Sequence, residues 1–135
     1  MIVEATAGDE AALIALWDVC GLTRAWNPPG RDIALALAGP TSTILIVRGA
    51  EALAGSVMVG HDGHRGWVYY LAVAPDARRA GLGRALMAAA ETWLRERGVP
   101  KIQLMVRTGN EEAHAFYRAL GFEDQPVAVF GRFLD

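Results

Sequence analysis

The hydrophobic pattern of this chain changes period at Pro75, and that change limits what it can fold into. Before Pro75, the runs Thr43–Arg48, Leu53–Gly60 and Trp67–Val73 are nearly continuous in apolar residues. That is the pattern of strands covered on both faces. After it, Leu82, Leu86, Ala89, Ala90, Trp93 and Leu94 recur at helical spacing until Gly98 and Pro100 close the segment. A buried sheet running into a long amphipathic helix calls for a layered α/β architecture.

The remaining elements fit around this centre. Ile2–Ala5 reads as an opening strand, and Asp9 as the cap of a helix over Glu10–Cys20 with Leu13, Leu16, Trp17 and Cys20 on one apolar face. Arg24–Gly30 is a loop by its prolines and glycine, and Asp32–Ala38 a second short helix stopped by Gly39-Pro40. Gly49-Ala50-Glu51 and His61–Gly66 are turns between strands. Lys101–Arg107 reads as a strand, Asn110 as the cap of a helix carrying Ala113, Phe116, Tyr117 and Leu120, and Val127–Leu134 as a last strand. The order is strand, two helices, three strands, helix, strand, helix, strand. It predicts one domain over residues 1–135, a mixed α/β sheet with helices packed on it.

Composition excludes several classes. A net charge of −2 gives no electrostatic case for nucleic acid or an anionic membrane. No apolar run reaches about 18 residues without charge, so no membrane span is expected. The start has neither the basic region nor the apolar run of a signal peptide, so a cytoplasmic protein is expected. The single cysteine, Cys20, rules out an intrachain disulfide and is expected in the core. One cysteine and three scattered histidines argue against a metal site.

The stretch Tyr70–Arg84 carries most of the chemistry. It enters a turn with Gly81, Gly83, Arg78, Arg79 and Arg84 just where the long helix begins. The first N–H groups of a helix lack helical partners, and its dipole adds positive potential. Glycine lets an anion approach them closely, so the turn reads as a pyrophosphate cradle with arginines at its rim. A P-loop would need Gly-Lys-Ser/Thr, but Gly83 is followed by Arg84-Ala85. A dinucleotide fold would place its glycines directly after the strand and an acid at the end of the next one. Here residues 74–80 intervene, and Lys101–Arg107 ends without an acid. On this stretch alone, an ordinary strand-to-helix turn with a solvated basic rim stays open.

Two motifs carry a resemblance. Arg78-x-x-Gly81-x-Gly83, following a Leu-Ala-Val-x-Pro strand end, resembles the Gln/Arg-x-x-Gly-x-Gly/Ala signature of GNAT acetyltransferases. Asn110-x-x-Ala113-x-x-Phe116-Tyr117-x-x-x-Gly121-Phe122 resembles that family's second block, and the element order is similar along essentially the whole chain. Trp26-Asn27-Pro28 and Gly60-x-Asp62-Gly63-His64-Arg65-Gly66 are similar to the YpeA-like subgroup.

The resemblance implies a mostly antiparallel central sheet flanked by helices, acetyl-CoA as co-substrate, no metal, and a small-molecule or peptide amine acceptor. It implies a monomer or homodimer. It places the pantetheine arm along Leu71, Ala72 and Val73, bound by the backbones of Leu71 and Val73. That requires the strand to splay from Lys101–Arg107, freeing backbone groups from the sheet. The backbone of Arg78, Arg79, Ala80, Gly81, Leu82, Gly83 and Arg84 would hold the pyrophosphate; alternatively, Arg79 simply faces solvent. Asn110, Ala113 and Phe116 would line the sulfur end, although Asn110 can equally be a helix cap and Phe116 core. Tyr117 matches the family's general acid; the other reading is a core tyrosine beside Phe116.

The general base is where the chain departs from the family, which often carries an acid where Tyr69 and Tyr70 stand. Asp62 and His64, in the preceding turn, are the nearest candidates, against turn chemistry for Asp62 and a surface role for His64. A water relay with no dedicated side chain is the further option. The loop holding Trp26 and Asn27 would cover the acceptor, with Trp26 either stacking on it or pinning the loop, and Asp32 beside it as a helix cap. A non-catalytic acyl-CoA-binding module is the rival function.

Overall fold

Three strands, β2 (Ser42–Arg48), β3 (Leu53–His61) and β4 (Gly66–Val73), form the centre of a five-stranded sheet in a computed structural model that describes residues 1–135. They pair antiparallel in chain order. At one edge β1 (Ile2–Glu4) pairs antiparallel with β2; at the other β5 (Ile102–Gln103) pairs parallel with β4. A parallel pair needs a crossover connection, and α3 (Leu82–Glu96) lies in it. The sheet is therefore mixed and mostly antiparallel, as the pattern predicts. All of it lies in a unit spanning Met1–Met105.

Helices cover both faces of the sheet. Leu13, Leu16 and Trp17 of α1 (Glu10–Val19) and Ile33 and Ala36 of α2 (Pro29–Ala38) join Ile44, Ile46 and Ala72 in one core. On the opposite face α3 buries Leu86, Met87, Ala90 and Leu94. Leu94 packs so closely on Gly66 that a Cβ there would overlap it. Double coverage explains the unbroken apolar character of β2, β3 and β4. No helix is long and apolar enough to cross a membrane.

Most element ends shift by a single residue from the sequence reading, and four larger differences stand out. Helix α2 starts at Pro29 rather than Asp32, because proline in the first turn gives up no helical hydrogen bond. Asp9 makes no cap bond to α1. Its carboxylate accepts from the Thr6 N–H at 2.9 Å and pairs with Arg48 at 2.8 Å, and the Arg48 hydrogen bond holds its pKa below the usual carboxylate value. The strand expected over Lys101–Arg107 is only Ile102–Gln103. Val127–Leu134 forms no strand: Phe130 and Phe133 are exposed, and the Val127 N–H bonds back to Gln125 O. A run of apolar residues signals only the capacity to form a strand.

The second unit, Val106–Asp135, contains α4 (Glu111–Ala119). Asn110 caps it, its side-chain oxygen accepting from the Ala113 N–H at 3.2 Å.

Candidate active site

Strand β4 carries an irregularity that shapes the site. Ser56 pairs with Ala72 and Met58 with Tyr69, so Val57 alone opposes Tyr70 and Leu71. This is a β-bulge, and Tyr70 adopts φ 52°, the left-handed region rarely used by non-glycine residues. The extra residue turns Tyr70 onto the α1 face, where its ring stacks on Trp17 at 3.8 Å with 6° between planes. Two residues earlier, Val68 shares the α3 face with Gly66.

Hydrogen bonds hold the bulge. The Trp17 Nε1–H donates to Ser56 Oγ at 2.9 Å, and Ser56 Oγ donates to the Tyr70 carbonyl at 3.0 Å. Trp17 and Ser56 are fully buried. Ser56→Ala strands the indole N–H and leaves that carbonyl without its hydroxyl donor. It is expected to destabilise the protein by about 1–3 kcal/mol in urea unfolding.

Past Trp67, β4 has no pairing with β5. The two pair only at Gly66–Ile102 and Trp67–Gln103, so β4 from Val68 to Val73 has one edge unpaired by β5. The short β5 is compatible with the splay that the sequence left open. Ala74 N–H bonds to Ala54 O across to β3. By the alternation of an antiparallel ladder, Val73 then turns its N–H and C=O to the open edge. Its carbonyl accepts from Arg78 Nε at 3.1 Å and from Cys20 Sγ at 3.4 Å. Cys20 is thus half-buried beside β4 rather than fully in the core, because it sits one residue past the end of α1.

The turn follows. A short 3₁₀ segment, Pro75–Ala77, leads to Arg78, and Arg79 (φ 71°) and Gly81 (φ 77°) are both left-handed. From Arg78 through Arg84 no main-chain N–H donates to a main-chain carbonyl; the first that does is Ala85, to Gly81 O. Arg78, Arg79, Ala80, Gly81 and Arg84 are exposed, and Leu82 and Gly83 half-buried. N–H groups without a main-chain partner at a helix start can receive phosphate oxygens.

On the α1 face, the Tyr70 hydroxyl donates to Asp32 Oδ2 at 2.7 Å, and Asn27 Nδ2 donates to the same oxygen at 2.9 Å. Burial and the Asp32 hydrogen bond push the Tyr70 phenol up to about 12, so it is a neutral donor. Trp26, next to Asn27, is 64% exposed. Tyr69 is also exposed, with its pKa raised by burial of part of its ring and by Asp62.

Asp62 closes its turn, Oδ1 accepting from the Arg65 N–H at 2.7 Å and the His64 N–H at 2.9 Å. These bonds lower its pKa and make it a poor proton acceptor. His64 is exposed in the same turn. No group of three or more His, Cys, Asp or Glu side chains could hold a metal ion.

Within the second unit, Phe116 meets Tyr117 edge-on at 5.0 Å, and Tyr117 meets Phe122 edge-on at 5.7 Å. Burial raises the Tyr117 pKa. Ala113 and Phe116 are half-buried. The sequence reading did not anticipate Ser56 or the contact between Asp32 and Tyr70. The only available signal was Tyr69-Tyr70 in place of an acid.

The family model described as Acetyltransferase (GNAT) family matches residues 11–122. Acetyltransferase YE1169 of Yersinia enterocolitica is 40% identical over 124 residues, covering 92% of this chain and 88% of that protein. Among solved structures, the aminoglycoside antibiotic 6'-N-acetyltransferase AAC(6')-IG of Acinetobacter haemolyticus matches with a TM-score of 0.76, over 100% of this chain and 99% of that one, at 19% identity. AAC(6')-Iy, solved with the bisubstrate analogue CoA-S-monomethyl-acetylneamine, matches with a TM-score of 0.82, over 98% and 97% of the two chains, at 16% identity. At those identities the two structures bear on the fold alone.

Proposed function

Because the chain belongs to the GNAT acetyltransferase family, we propose that it transfers the acetyl group of acetyl-CoA to a primary amine by direct attack in a ternary complex. It would do so as one cytoplasmic domain over residues 1–135. The observation that carries this reading is the free edge of β4 leading straight into a turn whose N–H groups, Arg78 through Arg84, have no main-chain partner. Pyrophosphate oxygens would take those N–H groups, with the Arg79 and Arg84 side chains at the rim. The pantetheine arm would add along the free edge from Leu71 to Val73, and the Val73 N–H would polarise the thioester carbonyl. Tyr117 would stabilise the departing thiolate. Cys20, which already bonds the Val73 carbonyl, has no role as a nucleophile.

The proton of the acceptor needs a separate account. An amine of pKa about 10.4 loses its proton at pH 7 for roughly 4–5 kcal/mol. Asp62 accepts two turn N–H bonds, which supports a structural role over that of a base. We therefore expect proton removal through water, or capture of the neutral amine. kcat/KM is expected to rise with pH toward the acceptor's own pKa. Asp62→Asn and His64→Gln are expected to cost less than about tenfold, below the range of a positioned base. A limb near pH about 6–7 that vanishes in one variant would identify that residue as the base.

The ternary complex is tested by initial rates with both substrates varied. Intersecting double-reciprocal lines, with no acetyl group on the protein by mass spectrometry, are expected. Parallel lines and an acetylated protein would contradict direct attack.

A further inference from the structure

Asp32 is held in an unusual way. Its Oδ2 accepts from both Tyr70 and Asn27, its Oδ1 accepts from no one, and it takes part in none of the ion pairs of the protein. Its place in the first turn of α2 would by itself explain an acid there, through the helix dipole. The dipole does not account for the tyrosine that reaches it from a left-handed position in β4, stacked on a buried tryptophan. That arrangement fixes a half-buried carboxylate with one oxygen free, and the exposed Trp26 adjoins Asn27 in the chain. Tyr70 and Asn27 are neutral donors and bring no positive charge to the carboxylate.

The distance along β4 says which part of an acceptor would arrive there. Tyr70 precedes Val73 by three residues, at most about 10 Å of bulged strand. An attacking nitrogen must come within about 3–3.5 Å of the thioester carbonyl, which the proposed reaction sets at the Val73 N–H. A group at Asp32 is then removed from the reacting amine. We propose that Asp32 binds a second ammonium group of the acceptor, so that the enzyme selects diamines and other polycationic amines over monoamines. Tyr70 and Asn27 are positioning residues for that carboxylate. The inference rests on the acetyltransferase reading and on the loop around Trp26 covering the acceptor.

The test is steady-state thiol release from acetyl-CoA with putrescine and cadaverine, each against the monoamine of the same carbon chain, butylamine and pentylamine. Wild type is expected to favour each diamine at least about tenfold in kcat/KM, through KM, the scale of one charge-assisted contact. In Asp32→Asn the preference is expected to shrink to within about twofold, with acetyl-CoA affinity unchanged. Unchanged acetyl-CoA affinity also reports that the variant folds. Equal use of diamine and monoamine by wild type overturns the inference without any variant, and so does a preference that survives Asp32→Asn. Acetyl-CoA binding with no turnover of any of the four amines overturns it while leaving the cofactor site standing. Absence of acetyl-CoA binding overturns the acetyltransferase reading as well.

Discussion

Gly81→Asp and Gly83→Asp are expected to weaken acetyl-CoA binding by at least about a hundredfold in calorimetry. Gly81 is left-handed at φ 77° and has nothing within 4 Å of where a Cβ would stand. An aspartate there therefore clashes with no neighbour and meets only the modest strain of that backbone region, which Asp and Asn tolerate better than other residues. What it adds is a negative charge among N–H groups meant for phosphate. At about 4 Å and an effective dielectric of 20, like charges repel by roughly 4 kcal/mol, more than a hundredfold in affinity. Gly81→Asn has nearly the same shape without the charge and is expected to lose only about tenfold. If both folded aspartate variants bind acetyl-CoA as wild type does, the turn is not the pyrophosphate site.

Tyr117→Phe is expected to lower kcat about a hundredfold, the low end for acid catalysis, while acetyl-CoA affinity stays the same. The hydroxyl matters once negative charge develops on sulfur, so its loss belongs to the transition state and not to binding. Even at an ordinary phenol pKa near 10, giving a proton to a thiolate whose acid is near 8.5 is uphill by about 2 kcal/mol. Burial raises the Tyr117 pKa and makes full transfer harder still. Hydrogen bonding to the thiolate is then the main contribution. Phe fills the same space between Phe116 and Phe122, so the packing survives. Wild-type kcat in the Phe variant, on a step shown to be chemical, would remove Tyr117 from the mechanism.

Local chemistry made much of this legible in the sequence. The strand-to-helix switch at Pro75, the free N–H groups after Arg78 and the Asn110 cap all follow from residues within a few positions of one another. What stayed hidden depends on partners far along the chain. The bulge at Tyr70 exists only in the register with β3, and Tyr70 meets Asp32 across 38 positions. Neither leaves a periodic trace. β5 is short, and Val127–Leu134 is no strand, for the same reason: an apolar run signals the capacity to form a strand, and backbone pairing decides whether one forms. Asp9 illustrates a competition. Its position suits a cap, but Thr6 and Arg48 take the carboxylate instead.

Thiol release by the purified protein tests the central claim most directly. Acetyl-CoA would be supplied with each class of primary amine in turn, and the products identified by mass spectrometry. The account predicts release that depends on the amine, one acetylated amine formed per thiol released, and an unmodified protein. Bound acetyl-CoA with no amine-dependent release from any class would contradict it and leave an acyl-CoA-binding module in its place.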